Sequence, residues 1–141
     1  MNAKISTIGL VVKNQQAAVD FYTNKVGFEK KNDFTPPGSG DYRYVTVSPK
    51  GQDLEIAIFQ EGVRDPNGWS INWRAGNAGP PIVMWVDDCR KAFDELKSNG
   101  VKFMQEKPQE YAWGISATFS DPDGNLWSIN QRPSEASWQA K

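Results

Sequence analysis

Residues 5–12, ISTIGLVV, alternate apolar and polar positions well enough to form a half-buried strand, and Asn14 just behind them is a candidate helix N-cap. Ala18, Val19, Tyr22 and Val26 then recur at helical spacing, and Gly27 can end that helix. Residues 42–48 and 54–60 read as strands on either side of Pro49-Lys50-Gly51. The pattern then returns. Residues 82–86 form a strand, Asp87 or Asp88 can cap a helix, and Cys89, Ala92, Phe93 and Leu96 make its apolar stripe up to Gly100. Residues 101–105, 115–120 and 126–131 complete the second set, the last two around Pro122-Asp123-Gly124.

The offsets between the two sets are nearly constant. Val12 and Val86, like Ala18 and Ala92, are 74 residues apart, and the two Pro-x-Gly turns are 73 apart. Strand, cap, helix, stop and turn recurring in order predict two fused βαβββ modules. Module one covers residues 1–60, module two residues 81–131, and residues 132–141 form a tail. Residues 61–80 join the modules. This joint is longer than most connections, carries Trp69 and Trp73, and is expected to be a functional or flexible loop.

Composition narrows the chemistry. The 141 residues, 38% hydrophobic, suffice for one real core, and a net charge of −1 gives no footprint for nucleic acid or an anionic membrane. No apolar run approaches the roughly 18 residues of a membrane span, and the N-terminus lacks the pattern of a signal peptide. With Cys89 as its one cysteine the chain is expected to be cytoplasmic. Cys89 starts a helix, where the dipole can activate a thiol, but its place in the apolar stripe favours a small core residue. Histidine is absent, which removes the commonest metal ligand and excludes Ser-His-Asp and Cys-His catalysis within the chain. Tryptophan occurs six times, at positions 69, 73, 85, 113, 127 and 138, which means either core packing or an aromatic binding site.

Three segments, AVDFYTNKVGF (18–28), VDDCRKAFDELKSNGVKF (86–103) and DPDGNLWSINQ (121–131), together resemble the vicinal oxygen chelate superfamily. That superfamily contains glyoxalase I, the extradiol dioxygenases, and the fosfomycin- and bleomycin-resistance proteins. The resemblance implies an α+β fold in which two βαβββ modules curl into a sheet around a cavity, with the helices outside. It also implies that metal-dependent members take their ligands from inward positions of the first and last strand of each module. Carried over by spacing, these positions hold Thr7, Glu55, Pro81 and Ser128, of which only Glu55 is a strong donor. No metal or other cofactor is therefore expected.

Strand alternation places Leu54, Ile56 and Ile58 toward the helix and Glu55, Ala57 and Phe59 toward the cavity. By the same argument Trp127 and Ile129 face the helix, whereas Ser128, Asn130, Pro81, Val83 and Trp85 face inward. The expected function is metal-independent binding of an aromatic or amphiphilic small molecule. The contacts would be Trp85, Trp113, Phe59, Tyr44, Trp73, Ser128 and Asn130, with the Trp69/Trp73 loop closing over the opening. The alternative is a metal-independent enzyme of lyase or isomerase type with Glu55 as base, since a carboxylate desolvated on an apolar face becomes a better base. A basic partner such as Arg43 would instead neutralise it. Free strand edges further predict a homodimer.

Overall fold

The computed structural model describes residues 1–76 and 79–133. Trp138 and the rest of the tail beyond residue 133 lie outside the described residues, as does the side chain of Trp69. The chain folds as two units, the first running through residue 77 and the second from residue 78.

In the first unit, strand β1 (Thr7–Val12) leads into helix α1 (Gln15–Asp20), followed by β2 (Glu29–Phe34), β3 (Tyr44–Ser48) and β4 (Glu55–Gln60). The sheet order is β1-β4-β3-β2, with β1 parallel to β4 and the other pairs antiparallel. Asn14 caps α1, its side chain accepting from the Ala17 N–H at 2.9 Å. The helix departs from the expected stripe after Asp20. Phe21–Val26 form a wider π-helical turn that ends at Gly27, whose φ of 91° suits glycine. The wider turn takes both Phe21 and Tyr22 into the core, while Val26 is only half-buried. Leu10, Val12, Val45, Val47, Ile56 and Ile58 supply the sheet side of that core, as alternation requires.

The second unit has β5 (Ile82–Trp85), α2 (Cys89–Ser98), β6 (Lys102–Phe103), β7 (Gln109–Tyr111), β8 (Gly114–Ser120) and β9 (Leu126–Gln131). Its order is β5-β9-β8-β6, with β7 paired to β8 and β5 parallel to β9. Of the two candidate caps it is Asp88 that accepts from the Lys91 N–H, at 3.0 Å. Cys89, Phe93 and Leu96 pack with Trp127, Ile129, Ala117 and Phe119 in the core. Gly114 is obligatory, because a Cβ there would lie 2.1 Å from the Gln131 carbonyl oxygen. The DPDGN turn is held from within: Asp121 Oδ1 accepts from the N–H groups of Asp123 (2.9 Å) and Asn125 (2.8 Å), and Asn125 Nδ2 donates to Asp121 Oδ2 at 2.9 Å. Both side chains are buried, so this motif builds the fold rather than the chemistry.

Two equivalent glutamines give the register of the repeat. Gln60 Oε1 accepts the backbone N–H of Gln15 at 2.9 Å, and Gln131 Oε1 accepts that of Cys89 at 2.9 Å, each supplying the first residue of a helix with a partner from the last strand of its own unit. Gln15 and Cys89 keep the offset of 74, but Gln60 and Gln131 are 71 apart. The turn after Gly51 is therefore two residues longer than the turn after Gly124. Counting four residues from each glycine equates Glu55 with Ser128; the structural register equates Glu55 with Leu126 and Ala57 with Ser128.

The expected linker also divides differently. Residues 61–76 belong to the first unit. Asp65 is buried and organises them: its carboxylate accepts from Ser70 N–H at 2.7 Å and Asn67 N–H at 3.1 Å, while its own N–H donates to Ser70 Oγ at 2.9 Å. Gly76 N–H then donates to the Val11 carbonyl at 3.1 Å, tying the loop back to β1.

Candidate functional site

Each sheet has one face packed on its helix and one face without a helix, and the chemistry-bearing residues collect on the latter. On the first sheet, Thr7 pairs with Glu55, Gly9 with Ala57, and Ala57 with Thr46, so these residues share the helix-free face. Asn32 pairs with Thr46 and Phe34 with Tyr44, which extends the face across β2. At its polar end, Glu55 Oε1 accepts two hydrogen bonds, from Asn32 Nδ2 and from Thr46 Oγ1, both at 2.7 Å. Glu55 has no ion pair among the described residues. Arg43, the expected neutralising partner, instead grips Asp33 through Nε and Nη2, both at 2.7 Å.

At the other end of the same face the aromatic rings of Phe34, Tyr44, Phe59 and Trp73 form a continuous row, with centroid separations of 5.6, 6.2 and 4.8 Å. The Phe59 ring leans across β1, and a Cβ at Gly9 would stand 3.0 Å from it. Trp73 is thus part of the row, packed on Phe59. Beside the loop, Glu61, Val63, Arg64, Ser70 and Arg74 line an open cleft of about 380 Å³.

On the second sheet, Val83 and Ser128, Trp85 and Asn130, Ser116 and Asn130, and Thr118 and Ser128 are register partners, again on the helix-free side. Asn130 Oδ1 accepts from Ser116 Oγ and from Ser128 Oγ, both at 2.7 Å. This is a closed polar cluster next to apolar surface: Val83 is exposed, and Trp85 is 46% exposed although Arg132 covers part of it, with the guanidinium carbon 4.5 Å from the ring centroid. Trp113 lies at the turn between β7 and β8, stacked on Tyr111 with centroids 5.0 Å apart and planes 4° apart. Both rings are exposed.

The family model described as the Glyoxalase/Bleomycin resistance protein/Dioxygenase superfamily matches residues 4–129. The chain belongs to this superfamily. It is 30% identical to the uncharacterized protein YetH of Bacillus subtilis over 131 residues, covering 93% of this chain and all of YetH. Among solved structures, a member of the superfamily from Sphaerobacter thermophilus is 29% identical with a TM-score of 0.76, covering 93% of this chain and 98% of that one. TnmS3, an antibiotic binding protein from Streptomyces sp. CB03234, is 29% identical with a TM-score of 0.74, covering 94% and 98%.

The metal that some superfamily members use does not fit the residues present. Thr7 and Glu55 stand side by side, but one Glu55 oxygen already accepts from two neutral donors. Pro81 and Leu126, the second-unit equivalents of Thr7 and Glu55, offer no side-chain donor, and the Ser128 hydroxyl is engaged with Asn130. Among the described residues no three His, Cys, Asp or Glu side chains are grouped as a metal would need.

Sequence reasoning named Glu55, Phe59, Tyr44, Trp73, Trp85, Trp113, Ser128 and Asn130. The first four share the first sheet's helix-free side, and Trp85, Ser128 and Asn130 share the second's. It missed Asn32, Thr46, Phe34, Ser116, Tyr111 and Arg132. Polar residues alternating with Val45 and Val47 were the signal for Thr46; Asn32 and Ser116 declare themselves only through cross-strand pairing. Cys89 is fully buried, its thiol donates to the Ile129 carbonyl at 3.4 Å, and burial pushes its pKa up, so it is a core residue.

Proposed function

We propose that this protein sequesters an aromatic or amphiphilic small molecule without a metal ion, holding it against the aromatic side chains of the helix-free sheet faces. The observation that carries this reading is the exposure of large apolar side chains on each unit, Phe34 on the first and Val83, Trp85, Tyr111 and Trp113 on the second, the latter beside polar groups whose hydrogen bonds are already organised. Such surface is uncommon on a chain with no use for it, and flat rings bind flat or apolar ligands by area burial. The likeness to an antibiotic binding protein supports the same reading. On the first unit Phe59, Tyr44 and Trp73 act as walls; on the second Trp85 and Trp113 do, with Ser128 and Asn130 as the polar contacts. The protein works as a homodimer: β1 and β5 stand at the ends of their sheets, and a second copy is the commonest way to cover such edge strands.

Turnover with Glu55 as base has less support, because Asn32 and Thr46 hold that carboxylate as a hydrogen-bond acceptor. The test is titration with dansylamide, a neutral flat probe, followed by mass spectrometry of the probe. Sequestration predicts saturable binding with micromolar or tighter affinity and recovery of the probe unchanged. Absence of saturable binding, or chemical conversion, overturns it.

A further inference from the structure

We propose that Glu55 is an anchor for an organic cation, so that the ligand is an amphiphile pairing a flat apolar body with a protonated amine. The inference rests on the binding function proposed above and specifies the charge of what is bound. It comes from the juxtaposition of an oriented carboxylate and an aromatic row on one sheet face.

Three observations converge. First, the carboxylate is fixed but not neutralised. Asn32 Nδ2 and Thr46 Oγ1 both donate to Oε1, while Oε2 has no hydrogen bond within the described residues. Neutral donors orient a carboxylate without cancelling its charge, leaving Oε2 as a strong acceptor for a charged N–H. Second, Arg43, the basic partner that the sequence offered for Glu55, is committed elsewhere. Arg43 forms a two-point pair with Asp33, and Lys30 adds to it at 2.8 Å. Asp33 accordingly has its carboxyl held well below the usual range, by the hydrogen bonds from Arg43 and then Lys30, and that pair does not reach Glu55.

Third, apolar surface begins within reach of Oε2. Along β4, Phe59 is four residues from Glu55, about 13 Å at the usual rise per residue. Its ring, however, leans back over exposed Gly9, the register partner of Ala57, only two residues from the Thr7–Glu55 pair. That shortens the gap to roughly 7 Å. An ammonium on a short arm from a ring spans this distance. Beyond Phe59 the row continues through Tyr44, Phe34 and Trp73, whose π-faces add attraction for a cation or for a second ring. An anionic ligand would meet Glu55 unscreened and be rejected.

The test compares dansyl ethylenediamine, which carries an ammonium group at neutral pH, with its neutral N-acetyl derivative, by dansyl fluorescence at low salt. The wild-type protein is expected to bind the ammonium form at least about tenfold more tightly, as a charge-assisted hydrogen bond would give. Glu55→Gln should reduce that preference to less than about twofold while leaving the affinity for the acetylated probe unchanged, which also shows that the variant is folded. Equal binding of both probes by the wild type, or a preference that survives Glu55→Gln, overturns the cation assignment and leaves the binding function standing. If neither probe binds, both proposals fall. A Glu55→Asp variant guards against a Gln-specific rearrangement: it keeps the charge and should keep part of the preference.

Discussion

Replacing Trp85 by alanine tests the aromatic wall quantitatively. A buried tryptophan covers up to about 250 Å², and at 46% exposure roughly 115 Å² of Trp85 remains for a ligand to cover. At about 25 cal/mol per Å² complete coverage contributes about 2.9 kcal/mol. The 46% already excludes the part that Arg132 covers, and a ligand stacked on the ring reaches about half of what remains, so about 1.5 kcal/mol, or roughly tenfold in affinity, is expected. Dansylamide titration of the wild type and of Trp85→Ala, by calorimetry or dansyl emission, measures the difference. Because Trp85 stands on an edge strand and is half exposed, the change should cost about 1 kcal/mol or less in urea unfolding, so lost affinity cannot be blamed on a lost fold. Affinities agreeing within twofold would show that the exposed ring is not a ligand wall.

The other predictions concern parts of the molecule outside the proposed contacts. Asp33→Asn should destabilise the fold by about 1 kcal/mol at neutral pH, since the Arg43 and Lys30 contacts are only partly shielded from solvent. The folded pKa of Asp33 is depressed, so its stabilisation is present above the ordinary carboxylate range and fades as pH falls below about 4; urea curves showing an equal gap at neutral and acid pH would contradict this. Cys89, buried and with its thiol pKa raised, should react with a thiol reagent only after unfolding, and prompt stoichiometric labelling of the native protein would refute the core assignment. Light scattering should give a particle of twice 15.8 kDa, and a stable monomer at micromolar concentration would remove the dimer.

Where a periodic signal reported burial, the fold was legible in the chain. Ile56 and Ile58 went to the core and Glu55 and Phe59 to the helix-free face, because one slip of register would have buried a charge. Asn14, Asp88, Gly27 and Gly100 bounded their helices through local hydrogen bonds and backbone freedom, which are properties of short segments. Strand β2, Glu29–Phe34, has no apolar row, and β7, Gln109–Tyr111, is exposed throughout; partner strands decide both, and no local pattern announces them. The π-helical turn at Phe21–Val26 moved Phe21 inside, which a uniform helical period does not anticipate. The site was legible as far as single positions on a face. The Asn32–Thr46–Glu55 and Ser116–Ser128–Asn130 clusters were not, since each joins residues from separate strands. The equation of Ser128 with Glu55 failed because two turns of unlike length precede them, as the helix-capping glutamines and the parallel strand registers both show.

Native mass spectrometry of the protein purified from its own host tests the central claim most directly, because sequestration predicts what should travel with the chain. The account predicts a small organic adduct of about one molecule per chain, carrying a basic nitrogen, released unchanged on denaturation, with no transition metal retained after dialysis. A stoichiometric zinc, iron, nickel or manganese ion, or an adduct recovered only as a converted product, would contradict it.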